Sequence, residues 1–310
     1  MIELRHLRTL MALKESGSLA GAAKKRFVTQ SALSHQIKEL ETRINSSIFI
    51  RKSKPLSFTQ EGTRLLNLAE EILPKVMVTE SDLKKGLDGE AQSLKLGIEC
   101  HSCFRWLMPV TEAFKQIAPD GRIDLSSRHL FDSLNALALG ELDIVLTSDP
   151  VPGHALAYQH LFDFEVKLVV SNEHPLAKQP FIKPEQLAKQ TLITYPVPLQ
   201  HLDIYKHFLE PAGVEVGEQK QCDLTAMLLQ RIACNDGVAA LPSWSINEGH
   251  GLNLSSVKLG SEGLKRPLFA AYRLNTSNTH LIQKWLTLVA AEGLKLQRLS
   301  QKHQSLLECA

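Results

Sequence analysis

Leu4, Leu7, Leu10, Met11 and Ala12 recur at helical spacing, with Arg5, Arg8 and Lys14 between them, which predicts an amphipathic helix over 4–14. A run of small residues from Gly17 to Ala23 follows, and Ser18 can cap the helix that it opens. After a break at Phe27-Val28-Thr29, a third helix starts at Thr29 or Gln30. Leu33, Ile37, Leu40 and Ile44 line one face of it, and Gln30, Ser31, Ser34, His35 and Lys38 fall on the others. Small residues let one helix lie close against the next, and the second begins with polar groups facing outward. That is the plan of a helix-turn-helix, whose second helix enters the DNA major groove. Arg51, Lys52 and Lys54 read as a basic wing beside it.

Thr59 can cap a long helix reaching to about Lys85. Leu65, Ala69, Ile72, Val76, Thr79 and Leu83 repeat along it at alternating steps of four and three, a stripe that calls for a partner helix. The stripe fits a seam between two chains, made by Leu65, Ala69, Ile72, Val76 and Leu83, or packing within its own domain. Pro74 should kink or restart the helix. Gly86 and Gly89 read as a hinge.

Beyond residue 94, short apolar runs alternate with helical segments. Strands are expected at 94–99, 122–127, 144–147, 167–171, 192–195, 219–222, 237–241 and 268–272. Helices are expected at 103–117, 133–138, 204–210, 224–234, 242–247 and 279–295. Such alternation argues for an α/β architecture with parallel sheets. The polar tail at 297–310 is expected to fray.

Charge sharpens this division. Residues 1–60 carry 11 Lys and Arg against 4 Asp and Glu, whereas the whole chain is only +2. The basic excess sits in the segment that resembles a DNA reader, where phosphate contact needs it. The start of the chain lacks an apolar leader, no apolar run reaches the length of a membrane span, and five cysteines form no framework. A reduced, cytoplasmic protein is expected.

The stretch from Leu4 to Gly62 resembles the N-terminal signature of the LysR-type transcriptional regulators almost position by position. "GELDIVLTS", "HPLA", "LITYP" and "GVAALP" resemble the family's effector domain at matching places. The resemblance implies an N-terminal winged helix-turn-helix (1–58), a dimerising linker helix and hinge (59–89), and an α/β effector-binding domain (90–310). That domain would hold two Rossmann-like subdomains resembling periplasmic binding proteins, I (90–161 and 268–296) and II (162–267). The chain would cross between them near 161–163 and 264–269. The resemblance further implies a homodimer or homotetramer on an interrupted palindrome of double-stranded DNA, with a small-molecule effector and no membrane. "IECHSC", "FDFEVKLVV", "SALSHQ" and the stretch from Leu202 to Val214 are similar to the subgroup that controls methionine biosynthesis and senses homocysteine. At His35 the family more often has Arg, which can bond guanine at two atoms where His cannot; the methionine subgroup shares this His.

Cys100-His101-Ser102-Cys103 ends the first expected strand and opens a helix. Ligands of open α/β sheets bind at the carboxyl ends of strands, and a helix start offers backbone N–H groups to an anion such as an amino-acid carboxylate. Arg128 and His129, Thr147 and Ser148, and Tyr195 and Pro196 occupy other strand ends, and in the family such positions surround the effector cleft. The effector set read here is Cys100, His101, Ser102, Cys103, His129, Thr147, Ser148 and Tyr195. Competing readings stay open. The cysteines could be small buried hydrophobes. A metal site would need more ligands than this cluster supplies, so none is assigned. A Cys–His enzyme is disfavoured because strand neighbours point to opposite faces, and no cofactor is expected. His154, His160, His174, His201 and His207 read as surface or packing residues, and Trp106, Trp244 and Trp285 as core. A solute-binding protein without DNA function is opposed by the basic helix-turn-helix.

Overall fold

The computed structural model describes the chain except residues 1, 51–55, 88–92, 100–103, 127–128, 130–131, 152–155, 250, 275, 277 and 309–310. Two compact units emerge, Met1–Glu90 with Ala138–Glu141, and Ala91–Leu137 with Leu142–Ala310.

The first unit is helical: α1 (Leu4–Ser16), α2 (Leu19–Lys25), α3 (Gln30–Ile44) and α4 (Gln60–Leu87). Gly17 ends α1 in a left-handed conformation (φ 62°), and its N–H bonds the Leu13 carbonyl. The Ser18 side chain accepts from the Gly21 N–H at 3.1 Å, and Thr29 accepts from Ala32 at 3.2 Å, so both expected caps form. Ala22 and Ala23 pack with Ala12, Leu13, Leu33 and Ile37 in one buried cluster, which is what the small residues permit. A short antiparallel stem follows α3, with Phe49 opposite Phe58, their rings 5.0 Å apart, and the Ile50 N–H on the Ser57 carbonyl. Arg51, Lys52 and Lys54, which read as the basic wing, lie outside the described residues.

α4 runs unbroken through Pro74, so the restart that proline allowed does not occur. Leu65 is buried with Leu10, Leu40 and Ile48, and Ala69 with Leu7. The upper stripe is therefore taken up within its own unit. Ile72 is half-buried and packs partly on the same cluster as Ala69, Val76 is half-buried and Leu83 is 65% exposed, so surface for another chain remains only on the lower stripe.

The second unit places β1 (Ser93–Ile98), β2 (Arg122–Ser126) and β3 (Ile144–Thr147) side by side and parallel, with α5 (Phe104–Ile117) and α6 (Ser133–Ala138) between them in sequence. β4 (Leu156–Ser171) then leads to β5 (Phe181–Ile182), β6 (Thr191–Thr194), β7 (Glu218–Gln221), α7 (Thr225–Ala233), β8 (Ala239–Pro242), α8 (Ser243–Ile246), β9 (Leu254–Leu259), β10 (Leu264–Arg273) and α9 (Thr279–Glu308). Among the described residues the main sheet runs β2-β1-β3-β10-β4-β9-β5, with β8 also on β4 and a separate parallel pair β6-β7.

The sheet is mixed, not parallel. β10 is antiparallel to both β3 and β4, and β4 to both β8 and β9. Alternating strands and helices betray parallel neighbours, but two strands far apart in sequence leave no such sign. β4 and β10 also start earlier than expected, because residues 156–166 and 264–267 mix polar and apolar positions and gain order by pairing with each other. The short strands β5 and β9 escaped the sequence reading. The expected helix at 204–210 is a wide turn at Tyr205–Leu209 and a tight one at Glu210–Ala212, broken by Pro211. α9 extends to Glu308 where a frayed tail was expected; from 294 on it has neither Pro nor Gly to stop it.

One core joins both ends of the sheet. Trp285 of α9 is fully buried, and Trp106 and Trp244 are nearly so. Asp143, in the "GELDIVLTS" segment, is 1% exposed. Its carboxylate accepts the Lys95 N–H at 2.9 Å and faces Arg273 at 3.6 Å. Arg273 also donates to the Leu137 and Leu142 carbonyls, so the end of β10, the loop before β3 and β1 share one buried ionic knot. Removing one member strands a buried charge. Asp143→Ala should cost about 3 kcal/mol of stability, and Asp143→Asn less, since it can still accept from Lys95. Urea unfolding followed by tryptophan fluorescence checks this; an unshifted midpoint in Asp143→Ala would show that the knot is not structural.

Candidate functional site: a DNA-reading helix and a cavity

In the first unit, α3 buries Leu33, Ile37 and Leu40 and exposes Gln30, Ser31, Ser34, His35 and Lys38. The five polar candidates are thus presented together on the side away from the core. Sequence reasoning passed over Phe27, which is 96% exposed in the turn between α2 and α3 with φ 53°, a conformation that disfavours a bulky side chain. Its exposure beside α3 could not be read from its type, since an aromatic in a break ordinarily folds inward. Glu3, His6 and Glu39 bring potential metal ligands within 4.8 Å of one another. Arg43 already bonds both carboxylates and Arg5 pairs with each, so the group is an ion-pair cluster.

In the second unit a cavity of about 400 Å³ opens where β1 and β3 end, beside β4, β8 and β10. Phe164, Val166, Trp244 and Leu268 give it apolar walls, and Glu99, Thr147, Asp149, Tyr195, His201 and Asp203 bring polar groups. This mixture and size suit a small-molecule site. The Trp244 and Phe164 rings pack tilted against each other in that wall, their centroids 4.6 Å apart.

Of the effector candidates, Thr147, Ser148 and Tyr195 line the cavity. His129 is not among its lining residues; its carbonyl instead accepts the Ser133 hydroxyl at 2.5 Å, just before α6. Cys100, His101, Ser102 and Cys103, with Arg128, lie outside the described residues. His201, read as a surface or packing residue, belongs to the lining. The Tyr195 hydroxyl sits 2.7 Å from that of Thr225, on α7. Cys222 and Cys234 are free thiols.

The charged groups were mostly missed. Arg266, on β10, donates through Nε to Asp203 at 2.7 Å and through Nη2 to Asp149 at 2.8 Å and to the Ser148 carbonyl at 3.1 Å. Lys206 adds a 2.7 Å bond to Asp149. Burial raises the Asp149 pKa, but the Lys206 and Arg266 contacts outweigh it and hold the carboxyl below its ordinary value. Burial dominates at Asp203 and raises its pKa despite Arg266. Glu99 lies at the carboxyl end of β1, the position searched for ligand groups, one residue before the cluster that drew notice. Burial pushes its pKa up to about 7; a hydrogen bond from Thr147 pulls the other way and the Asp149 charge adds to the rise. The Thr147 hydroxyl also accepts the Asp149 backbone N–H at 3.0 Å, so one buried side chain meets the Glu99 carboxyl and holds the backbone of Asp149.

Comparison with known proteins agrees with this division. Residues 4–63 match the family "Bacterial regulatory helix-turn-helix protein, lysR family", and residues 87–293 match the "LysR substrate binding domain". The chain is 45% identical over 273 residues to the HTH-type transcriptional regulator MetR of Escherichia coli K12, covering 88% of this chain and 85% of that one. It is 35% identical over 296 residues to MetR of Haemophilus influenzae, covering 94% of each. The regulatory domain of a MetR from N. meningitidis superposes with a TM-score of 0.61 at 29% identity, over 67% of this chain and 96% of that one. Full-length BenM shares the fold, with a TM-score of 0.55 at 24% identity over 94% and 98% of the two chains. Among the described residues, no helix is long and apolar enough to cross a membrane. With its two domain matches, an exposed polar face on α3 in one unit and a ligand-sized cavity in the other, the chain belongs to the LysR family of DNA-binding transcriptional regulators and is similar to MetR.

Proposed function

We propose that this regulator controls methionine-biosynthesis genes in the cytoplasm, with homocysteine as its co-effector and no metal or cofactor. The observation that carries the reading is the 45% identity to MetR over 88% of the chain. The cavity supports it. At about 400 Å³ it is large enough for an amino acid, and its lining combines polar groups with the aromatic rings of Phe164 and Trp244.

DNA is bound as an interrupted palindrome by a homodimer or homotetramer. Gln30, Ser31, Ser34, His35 and Lys38 reach base edges or nearby phosphates, and Arg51, Lys52 and Lys54 neutralise the backbone. The chains meet along the lower stripe of α4, at Ile72, Val76 and Leu83. Homocysteine acts by favouring one geometry of the assembly over another, since a ligand that bound both equally would shift nothing. Thr147, Ser148 and Tyr195 take part in holding it, and the segment 100–103 meets its carboxylate.

Binding to the DNA upstream of the chain's own gene and of methionine-biosynthesis genes tests this. Homocysteine should change the affinity or the footprint, whereas methionine should do so weakly. A footprint indifferent to homocysteine would remove the effector reading, and a response to another metabolite would replace it. His35→Ala should weaken specific binding by about 1–3 kcal/mol while leaving binding to random DNA nearly unchanged. Equal loss on both would move His35 from bases to phosphates.

Ile72→Asp sets an unpaired carboxylate in the seam. Sedimentation should show smaller assemblies and operator binding should weaken. An unchanged oligomer would place the interface elsewhere.

A further inference from the structure

Four acids border the cavity, Asp132 just before α6 and Glu99, Asp149 and Asp203 near the ends of β1 and β3 and beside β10, and the last three are not equivalent. Asp149 and Asp203 are served by Arg266, and Asp149 also by Lys206. Glu99 differs. Among the described residues the groups that act on its carboxyl are Thr147, through a hydrogen bond, and Asp149, through a charge of the same sign. It is oriented and mostly withdrawn from water, yet no described cation answers it. A buried carboxyl ionises at a cost unless it is paired, and a site in that condition is suited to a ligand that brings the missing charge.

We propose that Glu99 receives the α-ammonium group of an amino-acid effector, with Thr147 holding the carboxyl in position and Asp149 deepening the local negative potential. This rests on the cavity being the effector site, and it makes an ammonium group a requirement for the ligand, not an incidental part of homocysteine. No covalent bond changes. The ligand enters as a zwitterion, Glu99 gives its proton to water, and the ammonium donates to the carboxylate that results.

A pH dependence follows. The free carboxyl has a pKa of about 7, so below that pH binding must first remove a proton. Affinity should fall by roughly tenfold from pH 8 to pH 6 and level off above 8. Asp132, Asp149, Tyr195, His201 and Asp203 also face the cavity, with Arg266 and Lys206 behind Asp149. Comparison with Glu99→Gln isolates the one group, because glutamine keeps the size and the Thr147 contact and removes the titration.

The test is calorimetry on the full-length protein at pH 6, 7 and 8 with homocysteine and with 4-mercaptobutanoic acid, which differs by lacking the amine. Wild type should prefer homocysteine by about tenfold or more, as expected for a charge-assisted hydrogen bond in a partly dry site. Glu99→Gln should lose both the preference and the pH step while unfolding at the temperature of wild type. Glu99→Asp, which keeps the charge, should restore part of the preference. Equal binding of the two acids by wild type, or a preference undiminished in Glu99→Gln, overturns the assignment. If wild type binds no homocysteine, the effector reading fails by itself. The comparison then passes to other α-amino acids and their amine-free counterparts, and the Glu99 assignment falls if none of the amino acids binds better than its counterpart.

Discussion

Backbone hydrogen bonding between β4 and β10 holds the second unit together. The two strands pair from Leu156 opposite Arg273 to Val166 opposite Leu264, with one irregularity at Leu268 and Phe269. At Val166 the partnership passes on, because this residue also pairs with Pro242 of β8. One half of the ribbon thus joins the parallel trio through β3, and the other joins β8 and β9. The cavity sits beside this change of partners, and Phe164, Val166 and Leu268 of the two strands wall it.

Electrostatics adds a second constraint. Arg266 leaves β10 near the Leu264 end of the ribbon and binds acids from two different stretches of chain, Asp149 after β3 and Asp203 before the Tyr205–Leu209 turn. It fixes one edge of the cavity where two like charges would otherwise push apart. The ionic knot of Arg273 and Asp143 does the same at the other end of β10. Both arginines are nearly buried, and both also bond backbone carbonyls, which gives the guanidinium groups further partners.

Much of this was legible in the sequence, for identifiable reasons. Capping and helical periodicity are local, so α1 to α3, Ser18 and Thr29 could be read from neighbouring residues. Strand ends are also local, which is how Thr147, Ser148 and Tyr195 were found. What escaped is non-local. The antiparallel ribbon joins segments with little periodicity of their own. Arg266 and Asp203 have no motif, and their role exists only once folding brings them within 2.7 Å. Glu99 was adjacent to a conspicuous Cys-His-Ser-Cys run and was eclipsed by it, although a glutamate ending an apolar strand is itself a signal. The stripe on α4 was read as one surface, but its upper part serves the unit's own core and only packing could divide it.

The start of α4 is tied to the stem beside α3. The Thr59 N–H bonds the Ile48 carbonyl, its hydroxyl donates to the Ser47 carbonyl and accepts from the Gly62 N–H, and a Cβ on Gly62 would come within 2.2 Å of the Ile48 oxygen. So close a joint leaves α4 little freedom to swivel against α3. Each residue of a helix turns the chain by about 100° and advances it by about 1.5 Å. If two chains meet at Ile72 and Val76 as proposed, the position of those residues around α4 would set, like the angle of a key on its shaft, where α3 of the paired chain points. The spacing of operator half-sites would then be encoded in the number of residues between Gly62 and the seam, and a single inserted residue there would alter which DNA the assembly fits while leaving every base-reading side chain in place.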